Sequence, residues 1–187
     1  MVLKKAIVAI VAMFFLATAA YAIDVEGVNF PDTAKAGGQD LVFNGGGKRV
    51  KFMMKVYVTA LYLKQKSSDA AKIIAADEPQ DVKLQITSGL VTPDKMKEAI
   101  NEGFEKSTNG NVAPLKAKID AFMNIFKNQV KGDTYDFAYV PGKGLEVFKN
   151  GTLASTIEGL DFKKALYGIW LGDKPAQDDL KKKMLGK

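Results

Sequence analysis

Arg49, within the stretch NGGGKRVKFMMKVYVTALYLKQ from Asn44 to Gln65, is the only arginine among 27 basic residues. A guanidinium is a planar fork that holds a carboxylate or an enolate-like oxygen pair in a fixed geometry, whereas a lysine offers a point charge. Arg49 is therefore the first candidate for chemistry, set against the ordinary alternative of a solvated surface cation. The other side chains narrow what that chemistry is. The chain has no cysteine and no histidine, which removes thiol catalysis, serine–histidine triads, histidine general bases and zinc sites of the usual ligand set. Its acidic residues form no paired-carboxylate motif that spacing would license for general acid chemistry. Gly45-Gly46-Gly47-Lys48 is not a phosphate loop, because no Ser or Thr follows the lysine and a strand pattern comes next; it reads as a hairpin turn. Neither a metal nor a cofactor is expected.

The beginning of the chain has the pattern of a secretory leader. Lys4 and Lys5 precede an apolar run from Ala6 to Ala19, and Ala20-Tyr21-Ala22 supplies a small-x-small cleavage pattern. The run is shorter than the roughly 20 residues of a membrane span, so a signal peptide over 1–22 is expected, with a mature chain from Ile23 in the periplasm or outside the cell and no stable membrane insertion; the alternative is an uncleaved N-terminal anchor. Residues 23–187 make one domain, and without cysteine its fold rests on packing alone. Loss of the leader lowers the formal charge of +6 by two. The remaining lysines are scattered apart from Lys181–Lys183, which suits solvated faces better than the cationic stripe nucleic acid demands. Oligomeric state leaves no signature here.

The elements that position Arg49 follow from periodicity. Val25–Phe30 reads as a short strand ended by Pro31, and Asp40–Asn44 and Val50–Leu63 as strands flanking the glycine run. A short helix begins near Ser67, and Gln80–Thr87 alternates Val82, Leu84 and Ile86 with polar neighbours as a half-buried strand. Thr92-Pro93 opens a helix with an apolar stripe of Met96, Ile100 and Phe104, and a second carries Leu115, Ile119, Phe122 and Phe126. Strands at Thr134–Val140, Leu145–Lys149 and Leu153–Ile157 are joined by a Pro-Gly turn and by Asn150-Gly151; a helix from about Phe162 to Leu171 and a shorter one close the chain. Grouped helices among hairpins predict an α+β fold, an antiparallel sheet covered on one face by helices.

GGGKRVKFMMKVYVTALYL and GTLASTIEGLDFKKALYGIWLG together resemble the chalcone isomerase superfamily, whose bacterial exported members carry a leader. The resemblance runs from Val25 to Leu185 and implies an open-faced β-sandwich, a large antiparallel sheet under a helical layer with an apolar cleft between. In the family's isomerases and fatty-acid binders a cleft arginine faces the ligand oxygen, and Arg49 is the match. In the fatty-acid binders a tyrosine thirteen positions on joins it, the spacing of Tyr62 here. An odd separation puts two residues on opposite faces of one regular strand, so a bulge or a break must bring Arg49 and Tyr62 together. Val50, Phe52, Met54, Val56, Val58 and Ala60 share the parity of Tyr62, which points Tyr62 to the core.

The enzymes of the superfamily carry a Tyr, a Lys and an Asn on a cleft helix, which fall on Thr92, Lys95 and Ala99, and a hydroxyl that falls on Ile169. Only the lysine survives, and orientation supplies much of an enzyme's rate. The resemblance therefore implies a non-catalytic module binding a fatty acid or another amphipathic carboxylate, its head on Arg49 and Tyr62 and its tail along Met96, Ile100, Phe104, Ile119, Phe122 and Phe126. The alternative is an isomerase, an intramolecular lyase acting on an enone-like carbonyl, with Arg49, Tyr62 and Lys95 as its catalytic groups.

Overall fold

The computed structural model describes residues 21–51 and 53–187. The leader expected over 1–22 lies outside them except for Tyr21 and Ala22, and so does Phe52. Two short strands, β1 (Ala22–Val25) and β2 (Val28–Pro31), form an antiparallel hairpin. The single strand expected over Val25–Phe30 is thus folded on itself. Glu26 and Gly27 both take positive φ, 55° and 83°, the pattern of a tight turn whose twist matches its strands.

A seven-stranded antiparallel meander follows, in spatial order β3 (Thr33–Ala36), β4 (Gln39–Lys51), β5 (Met54–Leu63), β6 (Gln80–Ile86), β7 (Thr134–Val140), β8 (Gly144–Lys149) and β9 (Thr152–Ile157). Helix α1 (Ala70–Ala75) joins β5 to β6, while α2 (Pro93–Ser107) and α3 (Lys116–Asn124) lie between β6 and β7. The chain ends with α4 (Leu160–Leu171) and α5 (Asp178–Met184). Thr92 caps α2 through its hydroxyl, which accepts from the Lys95 N–H at 3.3 Å, and Pro93 occupies the first turn.

The glycine run is not a turn. β4 passes straight through Gly45, Gly46 and Gly47 and reverses only beyond Lys51. The glycines serve close approach: a Cβ on Gly45 would stand 2.1 Å from the Lys183 carbonyl oxygen of α5, and one on Gly47 3.0 Å from the Lys183 side chain. Buried Asn44 fastens this crossing, its amide donating to the carbonyls of Met184 (2.8 Å) and Ser67 (3.0 Å).

Alternation along the strands gives the sheet two apolar faces. Leu61, Leu63, Val82, Leu84 and Ile86 point to the helices, where Met96, Ile100, Phe104, Ile119, Phe122, Phe162 and Tyr167 complete the main core. On the other face Val58, Ala60, Tyr62 and Ala138 are covered by Val25, Val28 and Phe30 of the β1–β2 hairpin. The helices cover one face as predicted, and the hairpin that covers the second was hidden in what reads as one strand.

Candidate functional site

Arg49 lies near the end of β4, directly opposite Tyr57 of β5. Opposed residues of an antiparallel pair share a face, and this one looks toward the helices. The two residues line a cleft of about 300 Å³ between the β4–β5 hairpin, α2 and α4. Met54, Val56, Val91, Met96, Ala99 and Ile169 form much of its apolar wall. Its depth depends on Gly103: a Cβ there would come within 2.9 Å of the Ile169 side chain, so the glycine lets α2 lie against α4.

The guanidinium is held before any ligand arrives. Arg49 Nη1 donates to the Val50 carbonyl at 2.5 Å and to Gln177 Oε1 at 3.2 Å. The same Gln177 oxygen accepts from the Val50 N–H at 2.9 Å, and its amide nitrogen donates to the Lys48 carbonyl at 3.3 Å. Gln177 thus grips the strand on both sides of Arg49 at a register shift between Arg49 and Val50. Both guanidinium contacts run through Nη1, which leaves the Nε and Nη2 hydrogens uncommitted by them.

Tyr57 is oriented from the other side, its hydroxyl accepting from the indole N–H of Trp170 at 2.9 Å. Burial raises the Tyr57 pKa, against opposing contributions from the Trp170 hydrogen bond and the charge of Arg49. The phenol stays protonated and keeps its own hydrogen to donate. Five cationic residues line the cleft, Arg49, Lys51, Lys95, Lys106 and Lys174, against two acidic ones, Glu98 and Glu102. Glu102 is paired with Lys106 at 2.6 Å, and that contact is the leading cause of its lowered pKa. The cleft therefore favours an anion with an apolar body.

The residues named from the sequence separate into three groups. Arg49, Lys95 and Met96 line the cleft, as do Ala99 and Ile169, the positions where the enzymes of the superfamily place polar groups. Ile100, Phe104, Ile119, Phe122 and Phe126 are buried in the main core, where the Phe122 ring lies 5.1–6.2 Å from those of Phe126, Phe137, Phe162 and Phe104. Tyr62 is the correction. The run does break into two strands, but the break leaves Tyr62 on the face away from Arg49, fully buried, its hydroxyl donating to the Pro31 carbonyl at 2.7 Å. Sequence reasoning missed Tyr57, Trp170 and Gln177. Parity was the available signal for Tyr57, an even number of residues from Arg49 and on the face of Leu61 and Leu63. Gln177 left none, being brought to β4 only by the final turn of chain.

A wider hollow of about 710 Å³ lies between α1, α4 and the 106–115 turn. Two of its cations are engaged, Lys106 with Glu102 and Lys181 with the Gly172 carbonyl, Lys164 and Lys174 are its others, and it has no guanidinium fork. Among the described residues there is no acidic cluster that would hold a metal ion, and no helix is long and apolar enough to cross a membrane.

No curated protein sequence matches the chain. Among solved structures it is similar to a fatty-acid binding protein of Arabidopsis thaliana, at 16% identity with a TM-score of 0.67, covering 88% of this chain and 96% of that one. At that identity the likeness speaks for the fold. The family model described as chalcone isomerase-like matches residues 22–186, almost the entire described chain, and with the curled antiparallel sheet and its helical layer it places the protein in the chalcone isomerase-like family.

Proposed function

We infer that this protein is an exported, non-catalytic module that holds a fatty acid or a similar amphipathic carboxylate in the Arg49 cleft. The observation that carries the reading is the pairing of Arg49 with Tyr57 in a cleft with apolar wall residues, both pre-oriented by neighbours that leave donors for a ligand. A carboxylate accepts two donors from the guanidinium fork and a third from the phenol, while its chain lies along Val91, Met96 and Ile169. The structural neighbour that binds fatty acids supports this ligand class. Ala99 and Ile169 offer no hydrogen bond with which to orient an enone, so the slot suits retention better than turnover.

Lipid extraction and mass spectrometry of the protein purified from its native compartment test the reading. A co-purifying long-chain carboxylate is expected, released by Arg49→Ala. Saturable closure of a hydroxychalcone, abolished by the same substitution and with no lipid present, would establish the isomerase instead. Export is checked by intact mass, expected to correspond to a chain starting at Ile23; a mass that includes residues 1–22 would mean a retained N-terminal segment.

A further inference from the structure

The end of the sheet at which the Arg49 cleft opens has an unusual surface. Met53, at the reversal between β4 and β5, is 97% exposed and has a φ of 62°, a conformation in which a non-glycine residue is uncommon. Leu90 and Val130 are also exposed, at 49% and 63%, and Met54 at 40%. The backbone gathers these residues. Thr87 donates to the Val56 carbonyl, Gly132 to that of Ile86, and the Gln129 side chain to that of Val91, so the hairpin tip, the 87–91 segment and the 129–132 turn share one end of the molecule. Exposed Lys51, Lys95, Lys127 and Lys131 stand among them, against the exposed acids Asp94 and Glu98. Met54, Leu90, Lys51 and Lys95 also line the cleft, so this surface is its mouth.

Apolar tips ringed by lysines are what an anionic bilayer accepts. The lysines meet the negative headgroup layer, and the apolar side chains pass into the acyl boundary. A single exposed methionine needs no explanation; four exposed apolar residues gathered at the mouth of a slot for a water-insoluble ligand do. We propose that this end of the sheet is a membrane-docking surface, on which the protein sits reversibly on an anionic lipid bilayer with the Arg49 cleft facing the headgroups, so that an amphiphile enters or leaves without crossing water. The docking surface rests on the amphiphile reading for its purpose, and the test separates the two.

The test is co-sedimentation of the purified protein with vesicles of phosphatidylglycerol and phosphatidylcholine, compared with phosphatidylcholine alone, for wild type and variants sharing one N-terminus verified by intact mass. Binding is expected to anionic vesicles only and to fall steeply as salt is raised from roughly 0.1 to 1 M. Met53→Ser with Val130→Ser, neither of which lines the cleft, should weaken it by about tenfold or more while leaving the melting temperature and the binding of a fluorescent fatty acid in vesicle-free buffer unchanged. Lys127→Gln and Lys131→Gln should each cost about fivefold. Arg49→Ala should lose the fatty acid and keep the vesicles, so failure of the ligand reading does not imitate failure of this one. No affinity for anionic vesicles, or affinity indifferent to the Met53 and Val130 changes, overturns the proposal. So does a dimer in sedimentation velocity that Met53→Ser dissolves, since the surface would then join two copies of the chain.

Discussion

At the residue scale, the geometry of Arg49 decides what substitutions there should do. With its fork fixed by Gln177 and the Val50 carbonyl, Arg49→Lys should weaken fatty-acid binding almost as much as Arg49→Ala, because an ammonium cannot reproduce two parallel donors. A charge-assisted contact is worth roughly 1.5–3 kcal/mol, about a ten- to a hundredfold loss in a displacement assay. The two tyrosines should then part company. Tyr57→Phe removes a donor from the cleft and leaves the Trp170 indole N–H without its acceptor, so both affinity and melting temperature should fall. Tyr62→Phe breaks only the bond to Pro31 on the far face, about 0.5–1.5 kcal/mol of stability, and should leave affinity alone. Equal affinity losses for the two would mean that Tyr62 reaches the ligand after all. Arg49 was legible in the sequence because its residue type is singular, and the parity of Tyr62 already stood against its pairing with Arg49. The true partner needed the register of β4 on β5, which depends on where the hairpin reverses.

At the scale of elements, the site hangs on the crossing of α5 over β4. Gly45 admits the α5 backbone, Asn44 fastens it, and Gln177, the residue just before α5, reaches from the start of that helix to hold Arg49. Gly45→Ala should therefore act at a distance. Its Cβ would meet the Lys183 carbonyl at 2.1 Å, an overpacking that costs about 1–3 kcal/mol and lowers the melting temperature by roughly 2–4 °C per kcal/mol. Affinity should fall with it as α5 shifts and Gln177 leaves the strand. Gln177→Ala tests the grip without moving α5: affinity should drop, and loss of its hydrogen bonds to Arg49, Val50 and Lys48 should cost about 1–3 kcal/mol of stability. If Gly45→Ala costs stability and leaves affinity intact, the Gln177 grip has no part in holding Arg49. The periodicity of α2, α3 and β6 was plain in the sequence, since each needs only its own apolar repeat. The glycine run misled because Gly is ambiguous locally: it marks a turn where φ is positive and a close approach where another backbone passes, and only the packing of the chain's last turn tells them apart.

On the scale of the whole molecule, the sheet is wrapped on both faces, and the face away from the cleft contains a buried carboxyl displaced toward neutral pH. Asp81 is buried there with neither carboxylate oxygen hydrogen-bonded by a side chain, Lys83 lying 3.2 Å away but also 2.6 Å from Asp136. Burial pushes the Asp81 carboxyl up to about 7, aided by the charge of Asp136 and opposed by Lys83. An unfolded aspartate titrates near 3.9, so between about 4 and 7 the folded chain holds a proton that the unfolded chain has released. Folding is then favoured by acid over this window, so the Asp81 contribution to stability should decline as pH rises from about 5.5 to 8, while Lys163, whose ammonium pKa burial lowers to about 7, contributes in the opposite direction as pH rises beyond that value. The carboxylates held down by ion pairs act elsewhere. Glu26, drawn to about 2 chiefly by Lys183 and then Lys48, stabilises the β1–β2 hairpin above its unfolded range and loses that only in strong acid. The melting temperature of the wild type relative to Asp81→Asn should thus rise by roughly 4–8 °C on going from pH 8 to 5.5. Asp81→Asn isolates this contribution, since the amide carries no charge to desolvate at either pH and leaves Lys163 in place. The same pH dependence in wild type and Asp81→Asn would show that Lys83 keeps Asp81 ionised and that the back face holds a complete ion pair.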